Sequence, residues 1–116
     1  MLGRLLKIFG GGGASYENIS AGELQEILKK DKKAQVIDVR SSGEFQSGHI
    51  PKAKNINVMS GGFANQIANL DKTKTYYLYC RSGMRSARAC KMMAKNGFEN
   101  VYNLKGSVMT WSGKLV

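Results

Sequence analysis

The chain has 116 residues, 42% hydrophobic and 22% charged, which suits one domain of about 100–150 residues but not two. Its 18 Lys and Arg residues against eight Asp and Glu give a net charge of +10, which leaves both nucleic acid and small anions open as ligands. No run approaches the roughly 18 consecutive apolar residues of a membrane-spanning helix, and two cysteines are too few for a disulfide-built scaffold.

The N-terminal segment joins a short amphipathic stretch to four consecutive glycines. We expect residues 1–13 to be flexible, because chain termini are often disordered and a glycine run offers no side chains to pack. An alternative is a short helix that contacts a membrane surface through residues 1–9, which we do not expect. Lys7 interrupts the apolar stretch that an export signal would need. Residues 14–116 are predicted to form a single domain.

Helix and strand patterns alternate along this domain. Ser20 followed by Glu23 matches a capping box at the start of a first helix. Buried strands are predicted over residues 35–39, 75–79 and 99–104. Short helical segments are predicted over residues 41–48, 63–70 and 107–111, and a longer helix over residues 86–96. This order predicts an α/β domain with a parallel sheet covered on both faces, whose ligands bind beyond the carboxyl ends of the strands.

The segment that follows strand 75–79 has the composition of an anion-binding loop. It reads Cys80-Arg81-Ser82-Gly83-Met84-Arg85-Ser86 and leads into the longer helix. Its backbone N–H groups and the helix N-terminus can converge on one point and stabilise negative charge there. Such surroundings lower the pKa of a thiol below its usual value of about 8.5, so we expect Cys80 to be a nucleophilic thiolate. The same N–H groups would hold a second sulfur carried on Cys80 as a persulfide.

The two cysteines receive opposite interpretations. A free cysteine is most often a small buried apolar side chain. Cys90 fits that role, because it shares one helical face with Met93 and Ala94. Cys80 does not, because a purely structural cysteine needs neither a glycine loop nor two neighbouring arginines.

These residues resemble the single-domain rhodanese family, the thiosulfate-type sulfurtransferases. The resemblance is carried by residues 36–40 (VIDVR), 44–45 (EF), 48–53 (GHIPKA), 79–86 (YCRSGMRS) and 104–111 (LKGSVMTW). It implies a rhodanese-like α/β fold, with a five-stranded, mostly parallel sheet flanked by helices on both faces. It also implies that Cys80, at the head of a six-residue loop, accepts the outer sulfur of thiosulfate. The resulting persulfide would pass that sulfur to cyanide or another thiophile, and no metal or organic cofactor is implied.

Two positions depart from the family pattern. The family usually has Gly where this chain has Lys52 and Ser107. We expect these residues to alter local turn geometry without touching the catalytic loop.

The predicted site has a nucleophile, a binding loop and a supporting layer. Cys80 is the predicted catalytic residue. The substrate-binding residues are expected to be Arg81, Ser82, Gly83, Met84 and Arg85, with the two arginines attracting an anionic donor. The supporting residues are expected to be Asp38, Arg40, Glu44 and Ser86. In that layer Asp38 is expected to accept N–H groups beneath the loop, and Arg40 to pair with Glu44.

Two other classes of function remain open. A cysteine phosphatase or arsenate reductase would also use a thiolate in an amide cradle, but phosphatase loops place five residues between Cys and Arg. Here four residues separate Cys80 from Arg85, a shorter loop that suits a single sulfur atom better. A non-enzymatic or sulfur-relay binding module fits the charge of +10, but the sequence carries no nucleic-acid-binding motif.

The expected partners follow from this chemistry. They are a small anionic sulfur donor, thiosulfate or a persulfide, and a thiol acceptor such as glutathione, thioredoxin or a sulfur-carrier protein. No specific nucleic acid is expected. A reactive thiol without an export signal indicates the reducing cytoplasm.

Overall fold

A computed structural model of the chain describes residues 8–9 and 15–116. The strands in these residues are Ile8–Phe9 (β1), Ser15–Ile19 (β2), Gln35–Asp38 (β3), Lys54–Asn55 (β4), Thr75–Tyr79 (β5) and Asn100–Leu104 (β6). The α-helices are Ala21–Lys30 (α1), Ser42–Gln46 (α2), Phe63–Ile67 (α3) and Met84–Lys95 (α4), and a 3-10 turn spans Ser107–Thr110.

The strands form one sheet in the order β1-β2-β6-β5-β3-β4. The five strands from β2 to β4 in this order pair in parallel, and β1 adds a short antiparallel edge beside β2. The predicted five-stranded, mostly parallel sheet is therefore confirmed. β5 lies at its centre, between β3 and β6.

Alternating side chains of the central strands build a core on each face of the sheet. On β5, Tyr76 and Leu78 point to one face and pack with side chains of α3 and α4, such as Phe63 and Met93. Tyr77 and Tyr79 point to the other face and pack against α1 and the C-terminal segment. This period of two, expected of a strand buried on both sides, confirms the prediction of helices on both faces.

Capping boxes start two of the helices. The predicted box at α1 is present, with Ser20 Oγ accepting the Glu23 N–H and the Glu23 carboxylate accepting the Ser20 N–H. α2 begins with a second box of the same kind, formed by Ser41 and Glu44. Because this box fixes the Glu44 carboxylate at the start of α2, it also sets the position of a charge near the catalytic loop.

Several elements differ from the sequence predictions, beginning with β1 and β4, which were not predicted as strands. β2 was not predicted, because Ser15–Ile19 alternates a polar Glu17 with Ile19 on its buried face and lacks a β-branched run. α4 begins at Met84, two residues earlier than predicted, because Gly83 adopts φ 114° and lets the helix start directly after it.

Most of the predicted flexible segment 1–13 lies outside the described residues, except residues 8–9, which form β1. The alternative of a membrane-surface contact through residues 1–9, which we do not expect, likewise concerns a segment mostly outside the described residues. Within the described residues, no helix has the length and apolar character needed to cross a membrane.

Candidate active site

Cys80 lies at the carboxyl end of the central strand. It directly follows β5, shares the α4 face of the sheet with Leu78, and is only 1% exposed. Parallel strands place their carboxyl ends at one edge, where loops lead into helices and ligands bind. The sequence therefore predicted the place of this cysteine in the fold correctly.

The loop after Cys80 aims backbone N–H groups at the sulfur. The N–H of Gly83 lies 3.1 Å from Cys80 Sγ, and the N–H of Ser86, in the first turn of α4, lies 3.4 Å away. The sharp turn requires a φ of 114° at Gly83. Glycine adopts this conformation readily because it has no Cβ, whereas a residue with a side chain would be strained there. The result is a small cradle of donors at the N-terminus of a 12-residue helix, which favours an anion.

Two serine hydroxyls complete the surroundings of the sulfur. Ser86 Oγ is 3.4 Å and Ser107 Oγ is 3.9 Å from Cys80 Sγ. Burial is the largest single influence on the thiol and raises its pKa, but the hydroxyl and N–H of Ser86, the N–H of Gly83 and the Ser107 hydroxyl together outweigh it. The pKa of Cys80 is therefore lowered from its ordinary value, which is the direction expected for a more reactive thiol.

Ser86 contacts the sulfur directly and does not belong to the supporting layer predicted for it. Its side chain is fully buried and its hydroxyl donates to Asn103 Oδ1 at 2.5 Å. Asn103 Nδ2 in turn donates to Asn18 Oδ1 at 3.0 Å. Asn103 was not predicted as a site residue, although a polar residue in the otherwise apolar end of β6 was the available signal.

The two arginines of the loop have different surroundings. Arg81 is exposed to solvent. Arg85 donates two hydrogen bonds, at 2.8 and 2.9 Å, to the carboxylate oxygens of Glu44. These bonds lower the pKa of Glu44 to about 2 against the opposing effect of its partial burial, with Ser41 adding further donors. Glu44 therefore fixes the guanidinium beside the loop and offsets part of its charge.

The expected pairing of Arg40 with Glu44 is wrong, because Asp38 takes that arginine. Arg40 Nη2 lies 2.6 Å from Asp38 Oδ2, and Arg40 Nε lies 3.0 Å from both carboxylate oxygens. Arg40 also donates to the Gly48 carbonyl at 2.7 Å. The N–H that Asp38 accepts at 2.9 Å is that of Arg40, and not one beneath the catalytic loop as we expected. This buried pair ties the end of β3 to the turn after α2.

The remaining predicted binding residues lie at the outer side of the loop. Ser82 is exposed, and Met84 is 82% exposed at the start of α4.

Cys90 is fully buried among the apolar residues beneath α4, which confirms its structural interpretation. Burial raises the pKa of its thiol well above the ordinary value.

The expectation that Ser107 would not touch the catalytic loop is wrong. Ser107 Oγ accepts the backbone N–H of Cys80 at 3.1 Å and lies near its sulfur. Ser107 and Lys52, the two positions where the family usually has Gly, have φ values of 52° and 71°. Both therefore adopt the left-handed backbone conformation that glycine favours.

The fold and the site together define a class of protein. It is an α/β domain with a parallel sheet, in which backbone N–H groups surround a cysteine thiol at the end of the central strand. The profile of the family described as "Rhodanese-like domain" matches residues 20–114, and the chain belongs to this family.

Similar proteins cover most of the chain. The uncharacterised protein YqhL of Bacillus subtilis is 45% identical over 92 residues, 78% of this chain and 71% of that protein. Thiosulfate sulfurtransferase GlpE of Shewanella oneidensis is 29% identical over 98 residues, 84% of this chain and 94% of that protein. A crystal structure of a rhodanese-related protein from Thermoplasma volcanium has a TM-score of 0.77 at 28% identity, covering 87% of this chain and 98% of that one.

Proposed function

We propose that this protein is a sulfurtransferase that carries sulfane sulfur on Cys80. The observation that carries the proposal is the convergence of the Gly83 and Ser86 N–H groups and two hydroxyls on one buried sulfur. Membership of the rhodanese-like family, and a relative named thiosulfate sulfurtransferase, support sulfur transfer in general.

In the proposed reaction the Cys80 thiolate attacks the outer sulfur of thiosulfate. A new S–S bond forms on Cys80 as the S–S bond of thiosulfate breaks, and sulfite leaves with the bonding electron pair. Cyanide or a thiolate then attacks the outer sulfur of the persulfide, and Cys80 leaves as the thiolate. Because the nucleophile starts and ends as an anion, donors that stabilise negative charge on the sulfur assist both steps.

The loop arginines are assigned to recognition of the anionic donor. Arg81 is exposed on the solvent side of the loop, whereas Glu44 fixes the orientation of Arg85. The proposed donor is thiosulfate or a small persulfide. The proposed acceptor is a thiol, either glutathione or a protein of the thioredoxin or sulfur-carrier kind, and the proposed location is the cytoplasm.

Steady-state turnover of thiosulfate and cyanide tests this proposal. We expect Arg85→Ala to raise the KM for thiosulfate roughly three- to tenfold, as expected for the loss of one partly exposed charge contact, with a smaller change in kcat. Arg88→Ala is the matched control, because it removes the same charge from an exposed position of α4. An unchanged KM in Arg85→Ala would contradict the role of this arginine, and absence of turnover in the wild type would contradict the donor assignment.

The cysteine phosphatase is the second candidate, because its thiolate would use the same kind of cradle. The four residues between Cys80 and Arg85 argue against it, since the cradle closes on the sulfur itself through Gly83 and Ser86. We expect no hydrolysis of para-nitrophenyl phosphate above the rate of Cys80→Ser. Substantial hydrolysis that depends on Cys80 would favour the phosphatase over the sulfurtransferase.

A further inference from the structure

Ser107 holds a conformation that its side chain makes unfavourable. It is the first residue of the 3-10 turn, it is fully buried, and its φ is 52°. Among the described residues, the only other non-glycine residue with positive φ is Lys52, which is exposed. A strained backbone of this kind persists where the surrounding contacts fix it, and such contacts are often functional.

The contacts of Ser107 lead to the catalytic cysteine. Its Oγ accepts the Cys80 N–H at 3.1 Å and donates to the Leu104 carbonyl at 3.0 Å. The turn itself is hydrogen-bonded to the loop, since the N–H of Val108 donates to the Cys80 carbonyl and that of Met109 to the Arg81 carbonyl. A glycine would retain these two backbone bonds but would remove the partner of the Cys80 N–H.

The hydroxyl proton of Ser107 has three acceptors within reach, one of which is Ser86 Oγ at 3.5 Å. It is directed to the Leu104 carbonyl, while Cys80 Sγ lies 3.9 Å from the same Oγ. The neighbouring Ser86 hydroxyl differs, because it donates to Asn103 Oδ1 at 2.5 Å and accepts from Cys80 Sγ at 3.4 Å. A negatively charged sulfur is a stronger acceptor than a neutral carbonyl, so ionisation of Cys80 favours rotation of the Ser107 O–H toward the sulfur.

We propose that Ser107 is a positioning residue of this site, whose hydroxyl holds the Cys80 main chain and donates a hydrogen bond to the Cys80 sulfur when that sulfur is charged. For the thiolate the proposal stands on geometry alone. For the persulfide it rests on the proposed function, because the inner sulfur would occupy the same place. A glycine at this position could provide neither the hydrogen bond to the Cys80 N–H nor the one to the sulfur.

The rate at which iodoacetamide alkylates Cys80, measured from pH 5 to pH 9, tests the proposal. Ser107→Gly relieves the backbone strain and removes the hydroxyl, whereas Ser107→Ala removes the hydroxyl and keeps the strain. Lys52→Gly is the matched control, because it relieves the same kind of strain at an exposed position that forms none of the hydrogen bonds to the Cys80 sulfur. Intact mass identifies the product, and Cys80→Ser verifies that the buried Cys90 does not react.

We expect both Ser107 variants to show a higher apparent thiol pKa than the wild type, with about threefold or more lower alkylation rates below pH 7. Lys52→Gly should have the wild-type profile. Wild-type profiles in both Ser107 variants would overturn the proposal. A shift in Ser107→Gly but not in Ser107→Ala would also overturn it, because relief of the strain and not loss of the hydroxyl would then be responsible.

Failure of the proposed function would give a different result. Alkylation does not require sulfur transfer, so a shifted profile in both variants together with an inactive wild type would retain the role of Ser107 and reject the sulfurtransferase. With an active wild type, we expect both variants to lose turnover more strongly at pH 6 than at pH 9. A loss that is equal at the two pH values would contradict an effect on the charge of the sulfur.

Discussion

The ion pair between Glu44 and Arg85 can be tested by replacing the carboxylate with an amide of the same shape, Glu44→Gln. The pKa of Glu44 falls from 4.5 to about 2. Such a shift corresponds to about 3 kcal/mol of stability in a fully buried pair. The side chains of Arg85 and Glu44 are 29% and 34% exposed, so solvent screening reduces the expected contribution to about 1 kcal/mol.

The dependence of this contribution on pH has a defined sign. The carboxyl has a lower pKa in the folded than in the unfolded protein, so its stabilisation is present above about pH 4.5 and disappears as the pH falls toward 2. We expect Glu44→Gln to lower the free energy of unfolding by about 1 kcal/mol at pH 7. The difference from the wild type should shrink steadily below pH 4.5, because protonation removes the same charge that the substitution removes.

Urea unfolding of both proteins at pH values from 7 to 2 measures this difference. Glu26→Gln serves as the control, since Glu26 pairs with Lys29 at 3.7 Å and both side chains are more than half exposed. We expect no measurable change in that variant. A difference between Glu44→Gln and the wild type that is absent at pH 7, or that does not change with pH, would refute the assignment of Glu44 as an ionised partner of Arg85.

Two further substitutions test buried polar contacts at the ends of β3 and β5. Asp38→Asn leaves the buried Arg40 without its charge partner, so we expect it to lower the free energy of unfolding by about 3 kcal/mol in urea titrations. A change below about 1 kcal/mol would contradict this. Tyr79→Phe should cost about 1–3 kcal/mol in the same assay, because Tyr79 Oη accepts the buried Ile50 N–H at 3.0 Å; an unchanged midpoint would show that this N–H finds another acceptor.

Local sequence patterns predicted the framework of this site well. The β-branched and aromatic residues of β3 and β5 indicated the central strands, and the rule for the carboxyl ends of parallel strands placed Cys80 at the sheet edge. β2 was missed, because Glu17 occupies a buried position where an apolar residue would have revealed the alternation.

The partners of individual side chains were harder to predict. Arg40 was expected to pair with Glu44, which lies four residues away in the chain. In the structure the guanidinium of Arg40 binds the carboxylate of Asp38, two residues before it. Glu44 instead binds Arg85, 41 positions along the chain. Such long-range pairs depend on how elements pack against each other, which local periodicity does not contain.

Ser107 shows the same limit in another form. The sequence identified Ser107 as a departure from a glycine pattern. It did not reveal that the turn containing Ser107 is hydrogen-bonded to Cys80 and Arg81. Its neighbour Gly106, with φ 75°, could not be replaced in the same way, because a Cβ there would clash with the Thr110 side chain. Which of two adjacent glycine positions tolerates a side chain is decided by packing in the folded protein.

The intact mass of the protein after incubation with thiosulfate tests most directly whether Cys80 carries sulfane sulfur. The wild type should gain the mass of one sulfur atom and lose it after a cyanide wash, and Cys80→Ser should gain nothing while unfolding cooperatively like the wild type. A wild type that stays at its original mass would contradict the thiosulfate assignment, and a gain that persists in Cys80→Ser would contradict the assignment of Cys80 as the sulfur carrier.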